Sequence, residues 1–167
     1  MAKQKIEKTN AARLLDRAKI EYELIPYEVD ENDLAATHVA EQLGEDIATV
    51  FKTLVLRGDR TGHLVCVVPG DHEVDLKAAA RVSGNKWVEM IAMKELLPTT
   101  GYIRGGCSPI GMKKQYPTVY DASVLEYDSV MFSAGKIGFQ VELAPTELIR
   151  LTAGITADLC EEEVYAE

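Results

Sequence analysis

Apolar and polar positions along this chain alternate with two different periods, and each period predicts its own elements. Near the start, Ala11, Leu14, Leu15 and Ala18 recur at helical spacing, with Thr9 or Asn10 placed to cap the turn. From Ile20 to Val29 the pattern becomes that of a strand, interrupted by Pro26, so an edge strand or two short pieces is expected. Thr37 to Leu43 predicts a short helix stopped by Gly44, and Asp46 is placed to cap a further turn. Next comes Val50-Phe51-Lys52-Thr53-Leu54-Val55-Leu56, the clearest strand in the chain. The turn Gly-Asp-Arg-Thr-Gly at 58–62 returns the chain through His63 to Val68, which predicts a hairpin.

The later pattern is more broken. Asp75 is placed to cap a helix carrying Leu76, Ala79 and Ala80 on one face, with Gly84 at its end. Trp87 to Met90 predicts a short strand, and Met93 to Leu97 a short helix ending before Pro98. The glycine- and proline-dense stretch 98–118 reads mostly as loop. Thr118–Tyr120, Ser129–Ser133 and Gly138–Leu143 read as strands, and Pro145 suits the first turn of a helix running to Gly154. Strands outnumber helices and neighbour one another as hairpins do. The expected fold class is therefore α/β in the α+β sense, a mixed, curled or barrel-like sheet with helices outside it, rather than a doubly wound parallel sheet.

One position breaks the apolar logic. Alternation puts Val50, Lys52, Leu54 and Leu56 on one face and Phe51, Thr53 and Val55 on the other. Both faces are largely apolar, so the strand should be covered on both sides. A lysine there must reach water at an edge or occupy a pocket with partners for its charge.

Composition narrows the classes. The whole chain, 1–167, reads as a single domain with a core of about 9–160, and its hydrophobic fraction of 47% is that of an ordinary globular protein. A net charge of -9 argues against gripping nucleic acid by charge alone. The acidity concentrates in a C-terminal tail with Asp158, Glu161, Glu162, Glu163 and Glu167, while Lys3, Lys5, Lys8, Arg13, Arg17 and Lys19 tilt the first residues the other way. Cys66, Cys107 and Cys160 form no Cys-x-x-Cys pair, and no signal peptide or membrane span is seen, which points to a reducing, cytoplasmic setting with no structural disulfide. His38, His63 and His72 lack metal spacing, so no metal or cofactor is assigned.

Two loops hold the remaining candidate chemistry. In Gly105-Gly106-Cys107-Ser108-Pro109-Ile110-Gly111, adjacent glycines let backbone N–H groups face a phosphate or a developing oxyanion. For Gly-Gly alone a tight turn is the stronger explanation, and no Gly-Lys-Ser/Thr follows to make a P-loop. Cys107 has no histidine nearby in sequence and reads as a small inert loop residue rather than a nucleophile. Cys66 belongs to the core. Lys113-Lys114 is the kind of pair that meets a phosphate backbone, although such pairs are commonly just solvated.

The order of these segments resembles the bacterial Cys-tRNA(Pro) deacylases of the YbaK type, relatives of the editing domain inserted in prolyl-tRNA synthetases. The resemblance spans residues 9 to 160. It rests on Val50 to Leu54, Val74-Asp75-Leu76-Lys77, Thr100-Gly101-Tyr102 through Gly111, Lys113-Lys114, Pro117-Thr118, Asp121-Ala122, and Ser133-Ala134-Gly135-Lys136 before Val141-Glu142-Leu143. It implies the YbaK/prolyl-tRNA synthetase editing-domain fold and deacylation of mischarged tRNA in trans, most simply Cys-tRNA(Pro), with prolyl-tRNA synthetase as partner. It also implies a site. Lys52 matches the essential lysine, Thr53 its neighbour, and Tyr27 an early-strand tyrosine. Gly105, Gly106 and Ser108 match the substrate-facing loop, and Ser133 and Gly135 the second loop. The cysteine substrate's own thiol would then be the attacking group. Ala134-Gly135 stands where many relatives have Gly-Gly, and Gln140 where close relatives have an acid; both bear on amino-acid preference. A deacylase for another aminoacyl-tRNA such as Ala-tRNA(Pro), or a module that binds a nucleotide-like ligand without turnover, stays open at this point.

Overall fold

The computed structural model describes residues 8–29, 32 and 35–161. Lys3, Lys5 and the tail carboxylates Glu162, Glu163 and Glu167 lie outside the described residues. Local capping chemistry starts most of the helices. Helix α1 (Asn10–Arg17) begins with the Thr9 hydroxyl accepting from the Ala12 amide at 3.2 Å. Strand β1 (Glu23–Pro26) and helix α2 (Ala36–Leu43) follow, α2 closing on Gly44. A single 3-10 turn, Ile47–Thr49, is capped by Asp46 and leads into β2 (Phe51–Gly58) and β3 (Gly62–Pro69). Asp75 accepts from the Lys77 and Ala78 amides at the head of α3 (Leu76–Ser83). Then come β4 (Val88–Met90), α4 (Met93–Thr100), β5 (Thr118–Asp121), β6 (Val130–Ser133), β7 (Phe139–Leu143), α5 (Pro145–Thr152) and β8 (Ile155–Ala157).

The strands make two sheets, the first mixed and the second wholly antiparallel. One has the order β4-β2-β3-β5-β8, the other β1-β7-β6. The predicted hairpin is present, β2 pairing antiparallel with β3 from Phe51↔Pro69 to Gly58↔Gly62. Strands β3, β5 and β8 run parallel. An isolated parallel bridge, Val50↔Met131, joins the sheets. The sheet is therefore mixed and helix-flanked as expected, but no closed barrel forms, because a single bridge does not extend into a ladder.

Both faces of β2 are covered. Phe51 joins a core with Val65, Val67, Tyr120 and Phe132, while Leu56 joins a second with Leu64, Cys66, Val68 and Ala79 under α3. Burying Tyr120 completely works because its hydroxyl meets the Thr152 hydroxyl at 2.7 Å. Among the described residues no helix is long and apolar enough to cross a membrane.

Two elements differ from the pattern-based expectation. Helix α4 continues through Pro98 to Thr100 instead of stopping before the proline. The ring removes the N–H that would meet the Lys94 carbonyl, and beyond it the buried Thr100 hydroxyl closes the helix by donating to the Leu96 carbonyl and accepting from the Tyr102 amide. Strand β8 and the buried Leu159 lie at the end of the expected core, in an acid-rich stretch for which the pattern predicts no strand. Their pairing depends on β5, which a local pattern does not carry.

The hairpin turn is held to α3 by one buried side chain. The Asn85 carbonyl oxygen accepts from the Arg60 and Thr61 amides at 2.8 and 3.0 Å, and its amide donates to the Thr61 and Ser83 hydroxyls. Replacing Asn85 with Ala should lower unfolding free energy by about 2–3 kcal/mol, since it strands several polar groups at once. Urea unfolding with an unchanged m value is the check.

Candidate active site

The site begins with an incomplete strand edge. Val50 and Gly70 are bonded across the hairpin (Gly70 amide to Val50 carbonyl, 2.8 Å), whereas the Val55 carbonyl accepts from Ile91 on the β4 side at 3.3 Å. Alternation then turns the backbone groups of Phe51, Thr53 and Val55 away from β3. On that side β4 pairs only with Leu56 to Gly58, and β6, though near, bridges only at Val50. No strand lies alongside Thr53 between them, among the described residues. A cleft of about 470 Å³ opens in this gap.

Lys52 enters the cleft with about a quarter of its side chain exposed, and its ammonium stands 3.7 Å from the exposed carboxylate of Glu73. The lysine thus has both a pocket and a partner, and the partner is a solvated one that contributes little holding energy. Arg104 is the other cation on the wall. Among the described residues lining the cleft there is no histidine, aspartate or glutamate. The β4–α4 side is fixed by Arg57, which reaches Glu89 at 3.2 Å and Glu95 at 3.5 Å, and by the Ala92 amide donating to Glu95 at 3.0 Å.

The sequence-predicted residues divide into two groups. Tyr27, Lys52, Thr53, Gly105 and Ser133 line the cleft. Gly106, Ser108 and Gly135 lie behind it and hold the two loops together. A Cβ on Gly106 would sit 3.3 Å from the Ile137 amide, so the loops touch backbone to backbone there. Gly135 takes φ +93°, and a Cβ on it would come within 3.0 Å of the Tyr102 ring. Tyr102 in turn donates to the Ile110 carbonyl, and the fully buried Ser108 hydroxyl accepts from the Ile110 amide at 3.3 Å. Tyr102 is a positioning residue that the motif reading did not single out. The Ser133 hydroxyl accepts from the Gly135 amide at 3.2 Å.

Among the described residues, two buried side-chain polar atoms remain without a partner: the Thr53 hydroxyl and the Gln140 side-chain oxygen. Both residues line the cleft. Atoms of this kind are costly to leave unpaired in a folded protein and are spared that cost when a ligand bonds to them. Gln140 reaches the site because its strand neighbours in register are Ile25 and Ser133. Read as sequence, it stood out only as a departure from an acid; its burial at the cleft wall is a property of the β1-β7-β6 sheet.

Cys107 lines the cleft, but burial pushes its thiol up to about 12, against a small opposing effect from the Thr100 hydroxyl. A protonated thiol with no base beside it is a poor nucleophile. No group of three His, Cys, Asp or Glu residues that could hold a metal ion occurs among the described residues.

Comparison with known proteins places this geometry. The aminoacyl-tRNA editing domain profile matches residues 31–151. A protein of Enterococcus faecalis named as a candidate Cys-tRNA(Pro)/Cys-tRNA(Cys) deacylase, EbsC, is 49% identical over 98% of this chain and 100% of its own length. A proline–tRNA ligase of Thermosipho melanesiensis is 27% identical over 55% of this chain and 17% of the ligase. Among solved structures, a candidate trans-editing enzyme for prolyl-tRNA synthetase superposes with a TM-score of 0.78 at 24% identity, covering 93% of this chain and all of that one; at that identity the likeness speaks for the fold.

All three thiols should resist alkylation in the native protein. Burial raises Cys66, Cys107 and Cys160 from 9.0 to about 12. Thiolate at pH 8 should then be roughly a thousandfold scarcer than in the unfolded chain. Iodoacetamide labelling followed by mass spectrometry, native against urea-unfolded, tests this; fast native labelling of Cys107 would contradict it.

Proposed function

The chain belongs to the aminoacyl-tRNA editing domain family, and from that premise we propose that it deacylates mischarged tRNA in trans, with Cys-tRNA(Pro) as its substrate. The observation that carries this reading is the make-up of the cleft. Two cations, Lys52 and Arg104, face it; among the described residues no imidazole or carboxylate lines it; and two buried polar atoms await a partner. Such a site suits an anionic nucleotide end whose reacting group is brought by the substrate itself.

In this mechanism Lys52 binds the terminal phosphate or the ester carbonyl and fixes the ester's position. Backbone N–H groups of the 105–108 loop stabilise the oxyanion as the carbonyl becomes tetrahedral. The substrate cysteine's sulfur forms the new bond to its own carbonyl carbon. The bond from that carbon to the 3′-terminal ribose oxygen breaks, and the ribose oxygen takes up the thiol proton. The Gln140 oxygen and Thr53 hydroxyl receive the amino acid's remaining donors. Tyr27, Gly105 and Ser133 complete the wall, while Gly106, Ser108 and Gly135 keep the loops in place. No protein nucleophile is required, in keeping with the protonated Cys107 thiol.

Recognition of tRNA(Pro) falls to a partner in this reading, and the partner is prolyl-tRNA synthetase, working with this protein in the cytoplasm. The likeness to a segment of a proline–tRNA ligase supports that assignment.

Single-turnover hydrolysis over a panel of charged tRNAs tests the reading. Lys52→Ala should slow Cys-tRNA(Pro) deacylation by at least about a hundredfold, the scale of a lost electrostatic contact in an active site, with circular dichroism unchanged. Cys107→Ala should keep most of the activity and trap no acyl-enzyme. Activity surviving in Lys52→Ala, or acyl transfer to Cys107, would sink the mechanism.

The isolated protein should bind tRNA weakly and without much choice among tRNAs, since its net charge is -9. Adding prolyl-tRNA synthetase should sharpen the preference for tRNA(Pro). A titration of the protein alone that finds one tRNA favoured by more than about a thousandfold would assign the specificity to this chain instead.

A further inference from the structure

Charge is sorted across the cleft. From Ile20 to Phe51 the sequence holds nine acidic residues and neither lysine nor arginine. From Leu96 to Tyr120 it holds Arg104, Lys113 and Lys114 and no acidic residue. From Ser129 to Val141 the only charged residue is Lys136. The first segment supplies Tyr27, Ala35, Ala36 and Val39 to the cleft wall, and the second supplies Leu96, Arg104, Gly105 and Cys107. The segment that supplies Tyr27, Ala35, Ala36 and Val39 is thus acid-rich in sequence and the stretch from Leu96 to Tyr120 carries only cations, while Glu95 on α4 is taken up by Arg57 and the Ala92 amide.

The cationic part is also left open for a ligand. Arg104, Lys113, Lys114 and Lys136 are exposed, and none of them makes an ion pair among the described residues. Lys113 runs over Gly101, at the end of α4, and the Lys136 backbone packs on Gly106. Large apolar side chains accompany these charges. Met93 and Leu97, one turn apart on α4, are 61% and 52% exposed, and Ile103 beside Arg104 is 53% exposed. Met93 lies on the cleft wall itself.

Alternating apolar and cationic surface is what a single-stranded nucleic acid needs, its bases lying on the first and its phosphates against the second. A polyanion approaching over the other rim would meet carboxylates. We propose that the wall formed by α4 and the 101–114 loop is the track along which the single-stranded 3′ end of the tRNA enters, its bases on Met93, Leu97 and Ile103 and its phosphates on Arg104, Lys113, Lys114 and Lys136. This rests on the deacylase reading and adds to it a direction of approach: the tRNA body lies on the α4 side, and the side supplied by the acid-rich segment from Ile20 to Phe51 stays clear.

The test uses uncharged tRNA and a single-stranded oligonucleotide ending in CCA, with anisotropy measured at several salt concentrations. Lys113→Glu with Lys114→Glu should weaken both at least tenfold and reduce the salt slope by about one to two, roughly one for each lost phosphate contact. Met93→Ser with Leu97→Ser should weaken binding and leave the slope unchanged. The control is Lys77→Glu with Arg81→Glu on α3, an equal change in net charge over the second core, expected to act less than twofold. Equal losses in the control and the Lys113/Lys114 variant would overturn the track. So would a wild-type dimer that the Met93/Leu97 variant dissociates, since a second copy would then occupy this face. Hydrolysis of 3′-O-cysteinyl-adenosine, which has no upstream nucleotide, reports separately on the deacylase reading. Its failure would leave the binding result to judge the track alone.

Discussion

The site depends on a strand edge that its neighbours fail to finish. Strand β2 is satisfied along its whole length by β3, but on its other side β6 meets only Val50 and β4 only the stretch from Leu56. Extending β4 by three more pairs, as far as Met93, would place a strand alongside Thr53 and close the cleft. An unpaired sheet edge is ordinarily managed by a cover or a charge. Here the edge is walled instead, by α2, α4 and the two loops, so its polar groups face a small cavity rather than bulk water. Within such walls each hydrogen bond and each charge acts more strongly than it would at the surface. The neighbouring residue is Lys52, whose charge is kept at the mouth by a solvated carboxylate. A cation loosely held beside an open polar edge is ready to exchange its partner for a ligand's anion.

Positioning comes from packing behind the cleft rather than from the residues that face it. Tyr102 is the clearest instance, its ring against Gly135 and its hydroxyl bonded to the Ile110 carbonyl. Burial, then the nearby Cys107, raises its phenol to about 12, so it stays a neutral donor through the working range of pH. The Gly106 contact with the Lys136–Ile137 backbone makes the two loops one surface. A side chain at either glycine would part them without touching anything that binds there.

Legibility in the sequence followed the range of the interactions. Thr9, Asp46 and Asp75 cap their own neighbours, and alternation along Val50 to Leu56 is local, so those elements were readable in place. Lys52 was readable for the same reason, as a charge its strand pattern did not explain. Pro98 misled because the contacts that end the helix, Thr100 bonding to Leu96 and Tyr102, lie beyond the proline. Strand β8 and the gap beside Thr53 are long-range facts, fixed by which strands meet. The glycine loops were found as motifs, but a motif does not say which of its residues face the cavity. Gly105 does, whereas Gly106 and Gly135 face other loop atoms.

The acidic total and the nucleic-acid substrate are compatible because the charge is segregated rather than averaged. A net charge of -9 repels tRNA at long range, where only the sum is felt. Within about a Debye length, some 8 Å at physiological ionic strength, the local pattern takes over. There the acid-free stretch 96–120 and the single Lys136 of 129–141 border a cleft whose charged side chains, among the described residues, are both cations. Repulsion elsewhere keeps the phosphate backbone from settling on unproductive surface, so the few contacts that form orient the 3′ end. Weak overall affinity follows from the same arrangement, and it suits an enzyme that must let go of a corrected tRNA. What the chain gives up in grip, a partner that already holds the correct tRNA can supply. The acidic surface is thus part of how a small domain avoids competing for tRNA it has no reason to bind.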